Sequence, residues 1–196
     1  MIYPMTPYTI ATESFAIWEN GFSENELNYL QQTAKTSNQP GFVGNGEGLG
    51  VVNPEKRRSN VSWINNVPET NWIYEKLAII ASSLNAEFFR FDLTGFGEPL
   101  QLSSYDQSIN GMYGWHVDSG GHLRPCRKLS LVLQLSDPSE YEGGNFEIQI
   151  AGNKQTLRKQ RGLLFAFPSY ITHQVTPVIS GSRQSLVAWI SGPPFK

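Results

Sequence analysis

The chain has 196 residues, of which 39% are hydrophobic and 12% aromatic; that predicts one globular domain with its own core and excludes a disordered chain. A formal net charge of −2 gives no reason to expect a nucleic-acid backbone or an anionic membrane as partner. Cys126 is the only cysteine, so no intramolecular disulfide can form. No apolar run approaches the roughly 18 residues of a membrane span, and "MIYPMTPYTIATESF" lacks the basic-then-apolar pattern of a secretory signal. The expectation is a soluble, cytoplasmic protein.

In chain order, the first predicted element is a helix in "GFSENELNYLQQTAK". Ser23 and Glu26 have the spacing of a capping box, and Phe22 and Leu27 that of a hydrophobic staple. A second helix is predicted in "ETNWIYEKLAIIASSLNA", where Trp72, Ile73, Leu77, Ile80 and Leu84 fall on one stripe. Between them, "NQPGFVGNGEGLGVVNPEKRRS" holds five glycines and two prolines, too many for long regular structure. It reads either as a solvated connector or as a lid over a site. Lys56, Arg57 and Arg58 at its end read as a solvated charge run, with a preference for acidic residues near a substrate as the alternative.

From residue 86 the hydrophobic period changes from helical to two. "EFFRFDL", "PLQLSSYD", "MYGWHVD", "RKLSLVLQLS", "GNFEIQI", "GLLFAFP", "HQVTPVI" and "RQSLVAWIS" are short runs separated by turn formers. The predicted fold is α+β: a jelly roll of about eight core strands over 86–196, with residues 1–85 as a mainly helical support region and loop. In "RKLSLVLQLS", Leu129, Leu131, Leu133 and Leu135 point one way, and Ser130, Val132 and Gln134 the other. The leucine face needs a cover, which the helices supply, and the semi-polar face then lines the interior.

His116 and Asp118 are two apart in a predicted strand, so an imidazole and a carboxylate project to one side. The pair alone is a weak signal. A third metal ligand must come from His122 or His173, the other two histidines. His122 lies in a glycine-rich turn and reads as a surface loop residue, whereas His173 opens a strand. Two histidines and one carboxylate on a rigid scaffold form the facial triad of non-haem Fe(II) oxygenases, leaving open positions for cosubstrate and O₂. Arg183 follows His173 by ten residues, entering an otherwise apolar strand. A guanidinium there is costly unless an anion meets it.

The segments "YDQSINGMYGWHVD", "RKLSLVLQLSDPSEYEGGNFEI" and "GLLFAFPSYITHQVTPVISGSRQSLVAWISGPP" together resemble the 2-oxoglutarate- and Fe(II)-dependent oxygenases, within them the prolyl 4-hydroxylase group, over residues 98 to 194. "FSENELNYL" and "RRSNVSWI" are more weakly similar to the support region of those enzymes. The resemblance implies a double-stranded β-helix in which His116, Asp118 and His173 bind Fe(II) and Arg183 grips the distal carboxylate of 2-oxoglutarate. It implies cosubstrate roles for Tyr105, Gln134 and Ser185, Gln134 standing where some members use a tyrosine. It places Tyr113, Arg127 and Trp189 around a substrate proline; apart from the resemblance, the two aromatics read as core and Arg127 as a solvated charge.

The implied reaction consumes O₂ and 2-oxoglutarate, releases succinate and CO₂, and hydroxylates a proline in a peptide or protein, with ascorbate as reductant. Asp118 separates the chain from halogenases, which lack the carboxylate. Trp189, standing where nucleic-acid demethylases of this superfamily carry a second arginine, separates it from those. The alternatives are an oxygenase acting on a free amino acid or small metabolite, and a jelly-roll binding protein without activity, which leaves Arg183 unexplained.

Overall fold

A computed structural model describes residues 13–44, 50–119 and 126–194. Its elements are, in chain order, β1 (Ala16–Trp18), α1 (Glu24–Lys35), β2 (Gln39–Pro40), β3 (Val43–Gly44), β4 (Gly50–Val51), β5 (Arg57–Arg58), β6 (Asn60–Ile64), α2 (Asn71–Leu84), β7 (Gly95–Phe96), β8 (Leu100–Asp106), β9 (Met112–His116), β10 (Arg127–Gln134), β11 (Tyr141–Gly143), β12 (Phe146–Ile150), β13 (Asn153–Thr156), β14 (Leu164–Pro168), β15 (His173–Val175) and β16 (Val178–Ser191). A major sheet runs β1-β14-β10-β16-β8-β6-β2, with β7 and β11 also on β16, and a minor sheet runs β13-β12-β15-β9-β5. All strand pairs within the two sheets are antiparallel. This is the expected jelly roll.

The strand alternation assigns the two cores. Leu129, Leu131 and Leu133 of β10, with Leu164 and Ala166 of β14, face α1 and α2 and pack against Leu27, Leu30, Ile73, Leu77, Ile80 and Leu84. Each such leucine contributes about 1.5–3 kcal/mol on burial. The opposite face, carrying Val132, Phe165 and Phe167, joins Phe146, Ile148 and Val175 of the minor sheet to fill the inside of the roll. The capping box forms: the Glu26 N–H donates to Ser23 Oγ and the Ser23 N–H to Glu26 Oε2, at 3.4 and 2.7 Å.

Three expectations need correction. "EFFRFDL" is not a strand. Its start belongs to a π-helical turn, Asn85–Phe89, that continues α2, and Arg90 then adopts a left-handed φ of 56°. The Asn85 side chain meets both backbone groups of Phe91, at 2.9 Å each, so this segment needs no strand partner. Residues 1–85 are more than helical support, since β1, β2 and β6 extend the major sheet and β5 closes the minor one. The strand holding His116 ends at that residue, leaving Asp118 in the following loop.

Candidate active site

Two antiparallel neighbours of the minor sheet bring the distant histidines together, for His116 at the end of β9 is in register with His173 at the start of β15. Each imidazole is fixed through Nδ1, which donates to a backbone carbonyl: Gly114 O at 2.8 Å for His116 and Ile171 O at 2.9 Å for His173. A carbonyl only accepts, so the proton sits on Nδ1 and the Nε2 lone pair is free. Both Nε2 atoms face Asp118, at 3.7 Å from Oδ1 and 3.5 Å from Oδ2.

Asp118 reaches them from outside the strand because the loop is pinned. The N–H groups of Asp118 and Ser119 both donate to Ser169 O, and Ser130 Oγ on β10 donates to Asp118 Oδ2 at 2.7 Å. Burial pushes the Asp118 carboxyl upward, but the imidazoles of His173 and His116, the Arg127 guanidinium and the Ser130 hydroxyl outweigh it and hold it below the usual carboxylate range. Burial, joined by His173, depresses the His116 imidazole well below its ordinary value. The site presents two imidazole nitrogens and one carboxylate, with ligand atoms within 4.8 Å of one another. That donor set fits a ferrous ion with open coordination positions.

The triad opens into a cavity of about 680 Å³ between the sheets, lined by Tyr105, Tyr113, Arg127, Arg183, Ser185 and Trp189 among others. Arg183, on β16 in register with Tyr105, is only 1% exposed. Nη1 donates to Ser185 Oγ at 3.3 Å, while Nε and Nη2 have no partner. No carboxylate forms an ion pair with it among the described residues. Gly144 (φ +54°) lets the chain pass beside it, since an added Cβ would lie 3.2 Å from Arg183 Cδ. A buried guanidinium with two free donor atoms costs several kcal/mol unless an anion arrives, so this end of the cavity could hold a carboxylate of 2-oxoglutarate while the triad holds iron.

Residues 100–191 match the model of the 2OG-Fe(II) oxygenase superfamily. That match covers a little under half of the chain. The chain is 43% identical over 84 residues to a PKHD-type hydroxylase of Synechococcus sp. (strain CC9605), covering 42% of this chain and 38% of that one. It is 40% identical over 85 residues to a PKHD-type hydroxylase of Teredinibacter turnerae, covering 41% and 38%. The matched stretch is thus less than two fifths of these relatives' length. Among solved structures, a Pseudomonas putida prolyl-4-hydroxylase superimposes with a TM-score of 0.73 at 19% identity, over 92% of this chain and 94% of that one. A Trichoplax adhaerens prolyl hydroxylase, in complex with a hypoxia inducible factor peptide fragment, gives 0.75 at 15% identity over 91% and 84%. These two likenesses establish the double-stranded β-helix.

On this scaffold the remaining expected residues fall unequally. Tyr113 stacks on His116, with ring centroids 3.5 Å apart, and burial pushes its phenol up to about 12. Trp189 is buried beside the cavity with Nε1 unpartnered. Gln134 does not line the cavity; its amide donates to Arg158 O at 3.0 Å, so the expected cosubstrate role has no geometric basis. Arg127 is not a solvated charge: it forms a two-pronged pair with Glu98, Nε and Nη2 each at 2.6 Å, and lies 3.7 Å over the Trp189 ring. His122 lies outside the described residues.

The Arg127–Glu98 pair carries a stability prediction, because both side chains are largely buried, at 10% and 14% exposure. Glu98→Ala takes away the two-pronged partner of a buried guanidinium and is expected to cost about 3 kcal/mol. Urea unfolding reads this; a loss under about 1 kcal/mol would mean the pair is screened as a surface pair is. Three cavity features were illegible in the sequence. The hairpin β3-β4 brings Val43, Gly44 and Gly50 to the mouth, Trp63 and Trp115 stand there partly exposed, and Arg57 is buried rather than solvated. Only the glycine-rich lid pattern hinted at the first.

Proposed function

We propose that this protein is a 2-oxoglutarate- and Fe(II)-dependent dioxygenase that hydroxylates proline, at C4, in a peptide or protein. The carrying observation is that one cavity contains both a His-Asp-His cluster with free Nε2 lone pairs and a buried guanidinium with no anion of its own. The PKHD-type names of the relatives and the prolyl hydroxylase neighbours support the hydroxylase and substrate readings.

In this reading His116, Asp118 and His173 hold the metal, and Arg183 holds the distal carboxylate of 2-oxoglutarate, with Tyr105 and Ser185 alongside. Bound iron supplies activation of O₂ coupled to oxidative decarboxylation of the cosubstrate, and ascorbate serves as reductant. The protein positions and shields. The Nδ1 bonds to Gly114 and Ile171 keep both imidazoles aimed, and Ser130 holds the carboxylate. Tyr113 and Trp189 wall the space beside the triad that receives the compact, apolar proline ring, and Arg127 stiffens that wall.

The mouth favours a chain over a free amino acid. Phe42, Trp63, Trp115 and Val117 line it while remaining nearly half exposed, and a cluster of exposed apolar side chains around a cavity is how a peptide-binding rim presents itself. Among the described residues no helix is long and apolar enough to cross a membrane. The test is succinate formation from 2-oxoglutarate with Fe(II) and ascorbate, with proline-containing peptides and free amino acids in separate reactions and products weighed by mass spectrometry. Peptide-dependent succinate with one oxygen gained on proline is expected. Succinate that responds only to free amino acids would overturn the peptide substrate, and none under any condition would overturn the enzyme.

A further inference from the structure

Arg57 departs from its neighbours in a way the proposed reaction does not use. It is 6% exposed, on the edge strand of the minor sheet, and in register with Tyr113. Its Cζ lies 4.6 Å from the centroid of the Tyr113 ring, whose other partner is His116, so it stands two ring layers from the triad. Two of its three nitrogens are occupied: Nε donates to Ser59 Oγ at 2.8 Å and Nη1 to Phe42 O at 3.1 Å. Nη2 is buried and has no partner, and the residue lines the cavity.

The adjacent arginine shows that this is not a property of the segment. Arg58 donates to Asn110 O and Pro54 O at 3.0 and 2.9 Å from a more exposed position, as a structural surface arginine does. Arg127 has its charge matched by Glu98. Arg57 has no ion pair among the described residues, although Glu55 lies within the same lining. Nor does it duplicate Arg183, which rises from the major sheet whereas Arg57 rises from the minor one beside the mouth. The segment Gly41–Phe42 is wrapped onto it so closely that a Cβ on Gly41 would lie 2.4 Å from Nε. Its rotamer is therefore fixed before any ligand arrives, and a preorganised donor loses little entropy on binding.

We infer that Arg57 is an anion-accepting specificity residue, whose free Nη2 selects substrates bearing a carboxylate close to the hydroxylated residue. A neutral carbonyl would satisfy the N–H but leave the buried charge unmatched; a carboxylate answers both. That carboxylate has two sources, an aspartate or glutamate side chain within the peptide or the α-carboxylate of a chain end. The inference rests on the peptide reading above for its substrate.

The experiment measures peptide affinity for the protein loaded with Fe(II) and 2-oxoglutarate under nitrogen, by fluorescence anisotropy, and then hydroxylation in air. Three amidated peptides differ only in carrying Asp, Asn or Lys beside the proline, and a fourth, neutral peptide ends in a free carboxylate directly after it. The Asp peptide or the free-ended one is expected to bind about tenfold or more tighter than the Asn peptide, by the usual strength of a charge-assisted bond. Arg57→Met should bring these affinities to within about twofold of each other, and Arg57→Lys should keep the order with a smaller gap. Circular dichroism confirms that both variants fold. Equal binding of the four peptides by the natural protein, or a preference that survives Arg57→Met, would overturn the inference. Equal hydroxylation of all four would sink the charge subsite and leave the enzymatic reading standing. Carboxylate-selective binding with no oxygen gained on any peptide would do the reverse.

Discussion

Arg183→Met is expected to raise the 2-oxoglutarate concentration for half-maximal turnover by at least about thirtyfold. A charge-assisted bidentate contact between guanidinium and carboxylate contributes about 2 kcal/mol or more, and each 1.4 kcal/mol is a factor of ten. Methionine keeps much of the side-chain volume, so lost affinity is not confused with a collapsed cavity. The same substitution carries a second expectation of opposite sign. Arg183 is 1% exposed with Nε and Nη2 unpartnered, so the protein without cosubstrate bears an uncompensated buried charge. Removing it should leave thermal stability unchanged or higher when 2-oxoglutarate is absent. Adding 2-oxoglutarate should then raise the melting temperature of the natural protein but not of the variant. An unchanged Michaelis constant would remove Arg183 from the cosubstrate site, whatever its burial.

Asp118→Ala is expected to lower turnover by at least about a thousandfold and to abolish tight divalent-metal binding measured by calorimetry, because two neutral imidazoles alone give no charge balance to a divalent ion. The carboxylate is also the point on which the rest of the site converges, through Ser130 Oγ, both Nε2 atoms and the Arg127 contact to its backbone oxygen. Ser130→Ala isolates the positioning part. It leaves every ligand in place but frees one carboxylate oxygen, and a loss of about 10–100-fold in metal affinity is expected, the usual effect of deleting a hydrogen bond to a ligand. Circular dichroism and thermal melts of the metal-free proteins separate these effects from unfolding. Full metal affinity and turnover in Asp118→Ala would leave the histidines to act with some other ligand, and the assignment would fall.

The parts of this protein that were legible in its sequence are those governed by short-range geometry. A capping box closes over three residues, a helical stripe repeats every three or four, and a strand alternates every two. Ser23 with Glu26 and the Leu129-Leu131-Leu133 face therefore stand where spacing put them, while Asp118, expected on the strand of His116, is placed by a pinned loop instead; the distal His173 and Arg183 were reachable through motif resemblance. Even so, the strand reading of "EFFRFDL" failed, because one side chain, Asn85, supplies the hydrogen bonds that a neighbouring strand would have given Phe91. What only the tertiary structure decided is the state of the polar groups inside. Whether a buried arginine is matched, half-matched or unmatched depends on what the folded chain brings against it from far away in sequence. Glu98 from the bend before β8 answers Arg127, Arg158 O diverts Gln134 from the cavity, and nothing among the described residues answers the free nitrogens of Arg57 and Arg183. Those balances are set by desolvation and Coulomb forces acting across elements. No local pattern in the sequence encodes them.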